Sequence, residues 1–431
     1  MNARQVALDV LSNVLKNQSY LNLELKRALK PSWTIEDRRF ITALVSTTIE
    51  NLCRIDYILL SFTSGKRLHT VIRNILRLGV CQLAFFESVP VSAAVNESVK
   101  LVKGSNKPQL SGFVNAVLRN ISKNLGKIEY PDRKKNPAEF LHVFYSYPKW
   151  LSEKYIAEYG VDFTEQMFSY RADSSLTCVR VQEKETFALT DQFLPGKYCD
   201  DAYYIRNAAN IENMPMFLDG TLTVQGEASM LCVRAAGIRP ADTVLDTCAA
   251  PGGKSAYAAK FAADGYVRAM ELHTHRAQLI EKTFERLHTK NADIRVADAS
   301  KYDSSLGKFD VVLVDAPCSA LGLLYRKPDI KISKNEEDIT SLVILQREIL
   351  DTSAKYVKSG GTLLYSTCTI DKKENEENTN WFLETHKDFK VTDIKQYLPA
   401  ELAQYATGCS LQLFPHRDEI DGFFMARLEK I

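Results

Sequence analysis

The first third of the chain carries apolar residues at the spacing of α-helices. In the segment 111–121 they recur at intervals of three and four positions, and Val6, Val10 and Val14 repeat that interval near the N-terminus. Side chains at this spacing share one face of a helix, and that face packs into a core by default. We therefore predict an all-α domain over residues 1–128.

Proline and charge dominate the next stretch. The sequence PDRKKNPAE begins at Pro131, and this composition is typical of a linker. A helical stretch at 153–167 and a strand-like run at 176–181 follow it. We predict that residues 129–218 form this linker and a small α+β connecting domain.

From Thr221 onward the pattern changes to short β-rich runs that alternate with helical stretches. The runs lie at 243–245, 266–272, 294–297, 309–314 and 362–366. This alternation predicts a parallel sheet with crossover helices, a Rossmann-like α/β domain over residues 219–431. The apolar runs 411–414 and 423–428 flank a polar turn and predict a closing antiparallel pair of strands.

The composition excludes several classes of protein. No apolar run in the 431 residues is long enough to span a bilayer, and Arg4 and Asp9 interrupt the apolar N-terminus, which does not fit a signal peptide. We expect a cytoplasmic protein with no membrane partner. The nine cysteines are odd in number and include no CxxC pair, so neither a zinc cluster nor a disulfide framework fits, and we expect no metal.

The net charge of +2 conceals an uneven distribution. Residues 1–130 contain 18 Lys and Arg against 9 Asp and Glu, a net charge of +9, whereas the remainder has a net charge of −7. A basic N-terminal third indicates a polyanionic partner, of which nucleic acid is the leading candidate. The alternative is a solvated basic face that binds nothing.

A glycine-containing loop follows the first strand of the predicted sheet, in the sequence TVLDTCAAPGGK. Glycine lets the backbone approach a ligand at the carboxyl end of a strand, where open α/β sheets bind ligands. The loop is neither a GxGxxG motif nor a phosphate P-loop. Its candidate cofactor-binding residues are Cys248, Ala249, Ala250, Pro251, Gly252, Gly253 and Lys254.

Carboxylates follow the next two strands. Glu271 ends the second strand, where a carboxylate conventionally binds ribose hydroxyls, and we expect Asp298 to end the third strand, within reach of an adenine amino group. A surface or capping carboxylate is the alternative for each. Three candidates at successive strand ends favour a nucleoside cofactor, S-adenosylmethionine rather than a dinucleotide, because there is no pyrophosphate motif.

Two cysteines occupy matching positions in the last two parallel strands. The fourth strand ends in the sequence DAPCS with Asp315 and Cys318, and the fifth ends in STCT with Cys368. In a doubly wound sheet these strands are neighbours about 5 Å apart, so both thiols are expected above one edge, beside the cofactor. Inert packing, the usual role of a lone buried cysteine, is the alternative.

A thiol at this place suits methylation of cytosine carbon 5, which is a poor nucleophile. Addition of a thiolate to carbon 6 creates an enamine whose carbon 5 attacks a methyl donor. A second group must then assist removal of the carbon 5 proton and elimination of the thiol. Asp315 is placed to bind the polar edge of the base, which has to be splayed from its stack.

These motifs resemble the NOL1/NOP2/Sun family of RNA cytosine-C5 methyltransferases, of the class I S-adenosylmethionine-dependent fold. The similar motifs are CAAPGGK, DAPCS, STCT, VQGEAS, RKPDIK and DGFF. The resemblance implies that Cys368 is the nucleophile, that Cys318 assists product release, and that residues 248–254, Glu271, Asp298 and Asp315 contact the cofactor. Glu271 stands where many relatives have Asp.

The N-terminal domain resembles the RNA-binding NusB fold, in stretches such as DRRFITALVSTTIE and SGFVNAVLRNI. The combination of the two domains is similar to bacterial members of the family that methylate 16S rRNA. It implies 16S rRNA as the partner, naked or in a partly assembled small subunit, and a monomeric enzyme.

Two other functions remain open. One is cytosine-C5 methylation of another RNA, such as tRNA or a different rRNA site. The other is a non-catalytic RNA-binding assembly factor with a vestigial methyltransferase fold, against which the intact Cys318, Cys368 and Asp315 argue. Methylation of exocyclic amines is disfavoured, because DAPC stands where those enzymes usually show [DN]PP[YFW].

Overall fold

The computed structural model describes residues 2–431 except 64, 66, 174, 185, 186, 188, 189, 207, 209 and 210. The chain forms two compact units. The first contains Met1–Tyr170 and Leu324–Lys334, and the second contains Arg171–Leu323 and Asn335–Ile431. Residues 129–218 are divided between them: the helices up to residue 169 fall in the first unit, and the strands, with a short helix at 215–218, fall in the second. The division of the chain into three domains stays a prediction.

The first unit is helical, as the hydrophobic spacing predicts. The predicted helical stretch 153–167 is two helices in the structure, because Gly160 between them has a φ of +82°, which glycine adopts at little cost. The helices are α1 (Ala3–Asn17), α2 (Leu21–Ala28), α3 (Ile35–Glu50), α4 (Leu52–Thr63), α5 (Thr70–Phe85), α6 (Val91–Lys103), α7 (Ser111–Asn124), α8 (Pro137–Phe144), α9 (Lys149–Tyr159) and α10 (Val161–Ser169).

A distant stretch of chain completes the first unit. We call Leu324–Lys334 the strap. Ile330 in it is buried, and Ile332 packs against the helical core. The backbone N–H of Leu21 donates a hydrogen bond to the Asp329 carboxylate at 3.3 Å. The strap is thus anchored by both apolar packing and a buried polar contact.

The second unit contains helices and strands in alternation. Its strands are β1 (Leu176–Val181), β2 (Phe193–Pro195), β3 (Ala202–Arg206), β4 (Leu222–Val224), β5 (Thr243–Asp246), β6 (Tyr266–Glu271), β7 (Ala292–Val296), β8 (Phe309–Asp315), β9 (Val357–Thr367), β10 (Phe389–Val391), β11 (Ser410–Leu413) and β12 (Phe423–Lys430). The remaining helices are α11 (Pro215–Leu218), α12 (Glu227–Ala235), α13 (Gly253–Phe261), α14 (Thr274–Arg286), α15 (Ile330–Ser333, in the strap), α16 (Glu336–Lys355), α17 (Glu376–Thr385), α18 (Ala400–Ala403) and α19 (Pro415–Asp418).

The described strands form an antiparallel sheet of order β2-β3-β1-β4 and a larger sheet of order β10-β12-β9-β8-β5-β6-β7, with β11 paired to β12. Strands β5 to β9 are parallel. From β5 the chain builds outward through β6 and β7, then returns to the other side of β5 with β8. The strand order therefore reverses between β5 and β8, which is where open α/β sheets form their ligand crevice.

Apolar side chains cover both faces of the larger sheet. In β8, Val311 and Leu313 join one hydrophobic cluster, while Val312 and Val314 join another, because successive side chains of a strand point to opposite faces. The predicted closing pair of strands is confirmed, with Leu411 opposite Met425 in the antiparallel register of β11 and β12. The Rossmann-like fold is confirmed as well.

Candidate active site

The loop after β5 makes a tight turn before α13. The N–H of Gly252 donates to the carbonyl of Ala249 at 2.7 Å, and Gly252 has a φ of +99°. A Cβ atom at Gly252 would lie 3.1 Å from the Ile280 side chain and 3.2 Å from its backbone. Glycine is needed at this position for both conformation and space.

A pocket of about 170 Å³ opens at the point where the strand order reverses. Most of the predicted loop residues line it, whereas Gly252, Glu271 and Asp298 are not part of its described lining. Its lining residues are Val224, Gln225, Gly226, Ser229, Asp246, Cys248, Ala249, Ala250, Pro251, Gly253, Lys254 and Asp315. The pocket therefore brings the loop after β5 together with the end of β8.

Glu271 is the last residue of β6 and is buried. Its carboxylate accepts a hydrogen bond from the backbone N–H of His273 at 3.0 Å and lies 3.5 Å from the Arg276 guanidinium. These contacts hold the carboxylate at the strand end that the sequence predicts.

The expectation that Asp298 ends the third strand is wrong by two residues, because β7 ends at Val296. Asp298 instead organises the turn that follows. It accepts hydrogen bonds from the side chain and the backbone N–H of Ser300, and Lys301 lies 3.0 Å away. The hydrogen bonds from Ser300, together with Lys301, lower the pKa of Asp298. Asp298 is therefore an anionic carboxylate at neutral pH.

Lys254 and Asp315 form an ion pair in the pocket, with Nζ 2.8 Å from Oδ2. The other oxygen of Asp315 accepts a hydrogen bond from the hydroxyl of Ser366 at 2.9 Å, across the parallel pairing of β8 and β9. Burial is the largest single effect and lowers the pKa of Lys254, but the charge and hydrogen bond of Asp315, together with the charges of Cys232 and Asp246, outweigh it and the pKa is raised. Lys254 therefore stays a cation, and both oxygens of Asp315 are held in place.

Asp246, which sequence reasoning did not single out, ends β5 inside this pocket. Ser255 donates a hydrogen bond to its Oδ2 at 2.6 Å, whereas Oδ1 is buried without a hydrogen-bond partner among the described residues. Burial and the charge of Asp315 raise the pKa of Asp246, and the hydrogen bond from Ser255 lowers it. Burial is the largest effect, and the resulting pKa is about 6. Its position at the end of the first strand was the signal available in the sequence. A buried oxygen of this kind suits a cationic or hydrogen-bond-donating ligand.

The two predicted thiols lie together. The Sγ atoms of Cys318 and Cys368 are 3.2 Å apart, as their positions after the neighbouring strands β8 and β9 predict. Both cysteines are half-buried and neither forms a disulfide. The hydrogen bond to Cys368, followed by burial, raises the pKa of Cys318 well above the ordinary thiol value. Cys318 is therefore protonated near neutral pH.

The chain next to each thiol is held by a buried carboxylate that sequence reasoning also missed. The hydroxyl oxygens of Ser319 and Thr369 are 2.8 Å apart and form a hydrogen bond. The backbone N–H of Ser319 donates to Glu374 at 2.9 Å. Glu374 lies in the run DKKENEEN, whose composition is typical of a solvated surface, yet it is fully buried.

Two glycines make a close backbone contact beside Cys368. The N–H of Gly322 donates to the carbonyl of Cys368 at 3.1 Å, and the N–H of Gly422 donates to the carbonyl of Gly322 at 3.1 Å. A Cβ atom at Gly322 would lie 2.0 Å from the carbonyl oxygen of Gly422. This contact explains the glycine of the DGFF motif.

Within the described ranges, no group of three or more Cys, His, Asp or Glu side chains is arranged to hold a metal ion. No helix in that part of the chain is long and apolar enough to cross a membrane.

A Rossmann-like sheet with a pocket at its switch point, lined by Asp315 three residues before Cys318, is the architecture of a doubly wound cofactor-binding enzyme. Residues 235–429 match the family described as 16S rRNA methyltransferase RsmB/F, and residues 1–123 match the NusB family. The chain belongs to the RsmB/F family and is an S-adenosylmethionine-dependent rRNA methyltransferase.

The similarity to individual relatives extends over the full chain. A probable ribosomal RNA small subunit methyltransferase B of Bacillus subtilis is 33% identical over 442 residues, which covers 99% of this chain and 98% of the relative. The corresponding protein of Synechocystis is 32% identical over 450 residues and covers 100% of both chains. The crystal structure of PH0851 is 25% identical, covers 100% of this chain and 99% of its own, and superposes with a TM-score of 0.78.

Proposed function

We propose that this protein transfers a methyl group from S-adenosylmethionine to carbon 5 of a cytosine in 16S rRNA, through a covalent bond between Cys368 Sγ and carbon 6 of the base. The observation that carries the proposal is the 3.2 Å separation of the Cys318 and Cys368 sulfur atoms. A pair of thiols beside a cofactor pocket suits an addition and elimination cycle on a pyrimidine ring.

The pocket residues fit S-adenosylmethionine, which supplies an activated methyl group when bound. The loop 248–254 would contact the cofactor through its backbone, Glu271 would bind the ribose hydroxyls, and Asp298 would bind the adenine amino group. The unpartnered Oδ1 of Asp246 fits the ammonium group of the methionine portion. Asp246 adds an anion to a pocket whose other charges, on Lys254 and Asp315, are already paired.

The two thiols have different roles in the proposed cycle. In the proposed cycle, the thiolate of Cys368 attacks carbon 6 of the cytosine, and the electron pair moves to carbon 5. Cys318 stays protonated because its pKa is raised, so its S–H donates a hydrogen bond to the Cys368 sulfur. Carbon 5 would then take the methyl group from the sulfonium sulfur, which keeps the electron pair of the broken bond. The carbon 5 proton would leave to water as the double bond between carbons 5 and 6 re-forms and expels the Cys368 thiolate, and the hydrogen bond from Cys318 would stabilise that sulfur anion. Asp315, fixed by Lys254 and Ser366, would bind the exocyclic amine of the base.

A basic surface of the first unit supports an RNA partner. Glu97 is the only acidic residue between positions 88 and 128, and it is already paired with Lys100 at 2.6 Å. Four exposed Lys and Arg residues of this stretch form no ion pair with a described carboxylate, and we call them the basic ridge. The ridge consists of Lys103, Arg119, Lys123 and Lys127. Exposed cations without an ion-pair partner favour contact with a phosphate backbone.

Helix α7 presents this charge in a regular way. Arg119 and Lys123 lie one helical turn apart on the face opposite the buried Val114, Val117 and Ile121. The side chain of Asn115 accepts a hydrogen bond from Arg119 at 3.0 Å and so holds the guanidinium on that face.

Small-subunit rRNA as the substrate is supported by the names of the relatives, which match at least 99% of the chain. The proposal includes a cytoplasmic location, because a mechanism that needs two free thiols favours a reducing compartment. It also includes action as a monomer.

Bisulfite sequencing of 16S rRNA from cells with and without this protein tests the proposal. We expect one protected cytosine that becomes convertible when the protein is absent and stays convertible when only a Cys368→Ala variant is present. Unchanged protection of 16S rRNA, with loss of protection in tRNA or 23S rRNA, would assign the enzyme to another RNA. Unchanged protection everywhere would support the assembly-factor alternative.

A further inference from the structure

Glu374 is a carboxylate in an unusual place. Its side chain is fully shielded from water although it lies in a highly charged stretch of sequence. Burial raises the pKa of Glu374 above the ordinary value, while hydrogen bonds from Ser319 and Gln346 act in the opposite direction. Burying a carboxylate costs free energy unless it is fully hydrogen-bonded, so its partners indicate what it does.

The partners of Glu374 connect to both thiol-bearing loops. The backbone N–H of Ser319 donates to Oε2 at 2.9 Å, and the Ser319 hydroxyl donates to Oε1. Ser319 directly follows Cys318. Its hydroxyl oxygen also lies 2.8 Å from that of Thr369, which directly follows Cys368. A single carboxylate therefore joins the residue after one thiol to the residue after the other.

A third donor joins the carboxylate to the chain on the other side of Cys318. The amide nitrogen of Gln346 donates to Oε2 of Glu374 at 2.8 Å and to the carbonyl of Pro317 at 2.9 Å. The amide oxygen of Gln346 accepts a hydrogen bond from Asn378 at 2.8 Å, which fixes the orientation of the amide. Glu374 thus holds the residues on both sides of Cys318.

The direction of the hydrogen bonds follows from the donors available. Oε2 accepts hydrogen bonds from two N–H groups, and an N–H group cannot accept a hydrogen bond from a carboxylic acid in return. The ionised form of Glu374 therefore matches these donors. The Ser319 hydroxyl then donates to Oε1, and the Thr369 hydroxyl donates to Ser319. Thr369 in turn accepts the backbone N–H of Asp371 at 3.3 Å. Every group in the chain of hydrogen bonds is paired in this arrangement, and protonation of Glu374 at Oε1 would reverse it.

We propose that Glu374 is a positioning residue that locks the Cys318 loop to the Cys368 loop and thereby fixes the distance between the two sulfur atoms. Its relevance to catalysis rests on the proposed function of the thiol pair. The carboxylate is placed to act through Ser319 and Thr369 and not on the substrate. Its negative charge also contributes to keeping Cys318 protonated, after the larger effects of the Cys368 hydrogen bond and burial.

The distance between the thiols can be measured without RNA or cofactor. Diamide oxidises two neighbouring thiols to a disulfide and takes up the two hydrogen atoms, and the product is read by mass spectrometry of the Cys318–Cys368 peptide pair. The sulfur atoms must approach to about 2.05 Å for this bond to form. Because the reaction depends on proximity, we expect Glu374→Ala to slow it at least about tenfold relative to wild type.

Matched variants separate positioning from general damage. Glu377→Ala removes an exposed carboxylate from α17 and should leave the rate of disulfide formation unchanged. Glu374→Gln keeps an acceptor for the two N–H donors and an amide N–H that can donate to the Ser319 hydroxyl, so its rate should stay within about twofold of wild type. If Glu374→Ala does not fold, Ser319→Ala and Thr369→Val break the same connection and should slow the reaction.

Steady-state kinetics supply the second measurement. A shift of the thiols by about 1 Å costs on the order of a hundredfold in rate, so Glu374→Ala should lower kcat by about that factor while KM for RNA and cofactor stays constant. Wild-type rates of disulfide formation in a folded Glu374→Ala, or in both Ser319→Ala and Thr369→Val, would overturn the proposal. Slowed disulfide formation in an enzyme that proves not to methylate cytosine would overturn the proposed function and leave the positioning role intact.

Discussion

The sulfur atoms of Cys318 and Cys368 lie 3.2 Å apart although 50 positions separate them in the chain. The parallel pairing of β8 with β9 places Asp315 opposite Ser366, and each cysteine follows that pair by two or three residues. A shared strand end is therefore enough to bring the two side chains together. The proposed chemistry depends on this separation.

The two thiols should fail in different ways when removed. Cys368→Ala should abolish methyl transfer, because it removes the nucleophile that is proposed to add to carbon 6. Cys318→Ala should still form the covalent bond but release product slowly, so a protein–RNA adduct accumulates on a denaturing gel. Cys409→Ala, a buried cysteine of the same unit, is the control and should form no adduct. Full activity without Cys368 would contradict the assignment of the nucleophile.

Cofactor binding should depend on pH through Asp246. Its pKa of about 6 means that the carboxyl group is neutral below that pH and anionic above it. An anion attracts the ammonium group of the cofactor, so affinity should weaken by up to about tenfold per pH unit as the pH falls below 6. Titration calorimetry with S-adenosylmethionine between pH 5 and about 8 measures this.

Asp246→Asn should bind the cofactor weakly at every pH, without this dependence. Asp264→Asn, an exposed carboxylate, should behave as wild type. A pH dependence that persists in Asp246→Asn would assign the titration to another group.

Neutralising the basic ridge should change how RNA binding responds to salt. Each phosphate contact to a single strand contributes about 0.7 to the slope of log affinity against log salt, so Arg119→Gln, Lys123→Gln and Lys127→Gln together should lower it by about 2. A second triple variant, Lys16→Gln, Lys26→Gln and Lys30→Gln, removes equal charge from exposed positions of α1, α2 and the residue close after α2. Equal effects of the two triple variants would show that the ridge is only a solvated surface.

The close contact between Gly322 and Gly422 should not tolerate a methyl group. Gly322→Ala would place Cβ against a carbonyl oxygen, and overpacking of this kind costs about 1–3 kcal/mol in the free energy of unfolding. Gly112→Ala, in open space near the start of α7, should be neutral or stabilise by about 0.5–1 kcal/mol. Urea unfolding of the two variants makes the comparison, and an unchanged midpoint for Gly322→Ala would contradict the described contact.

Local patterns were sufficient to predict the helical character of the first unit and most strands of the second, because an apolar run such as Val311 to Val314 between polar residues is recognisable without knowledge of its distant neighbours. The same reasoning brought Cys318 and Cys368 together, since parallel strands end at one edge. Glu374 could not be found in this way. Its burial depends on Ser319, 55 positions earlier, and on Gln346, 28 positions earlier, and nothing in the run of acidic residues indicates which one has such partners.

Asp298 shows a smaller difference of the same kind. In the sequence, a carboxylate two residues after a strand looks the same as one that ends the strand. The position at which the backbone hydrogen bonds of β7 stop, Val296, cannot be read from the types of the residues around it. The strap was likewise beyond prediction, because its apolar residues carry no sign of which core they enter.

The strap also affects how the molecule is made. The ribosome completes α1 to α10 first, yet the last piece of the helical unit emerges only after the whole of Arg171–Leu323 has been synthesised. Until then the place of Ile332 against the helical core stays unfilled. The first unit is therefore the first to begin folding. It reaches its final packing only after β8, Cys318 and Ser319 have left the ribosome.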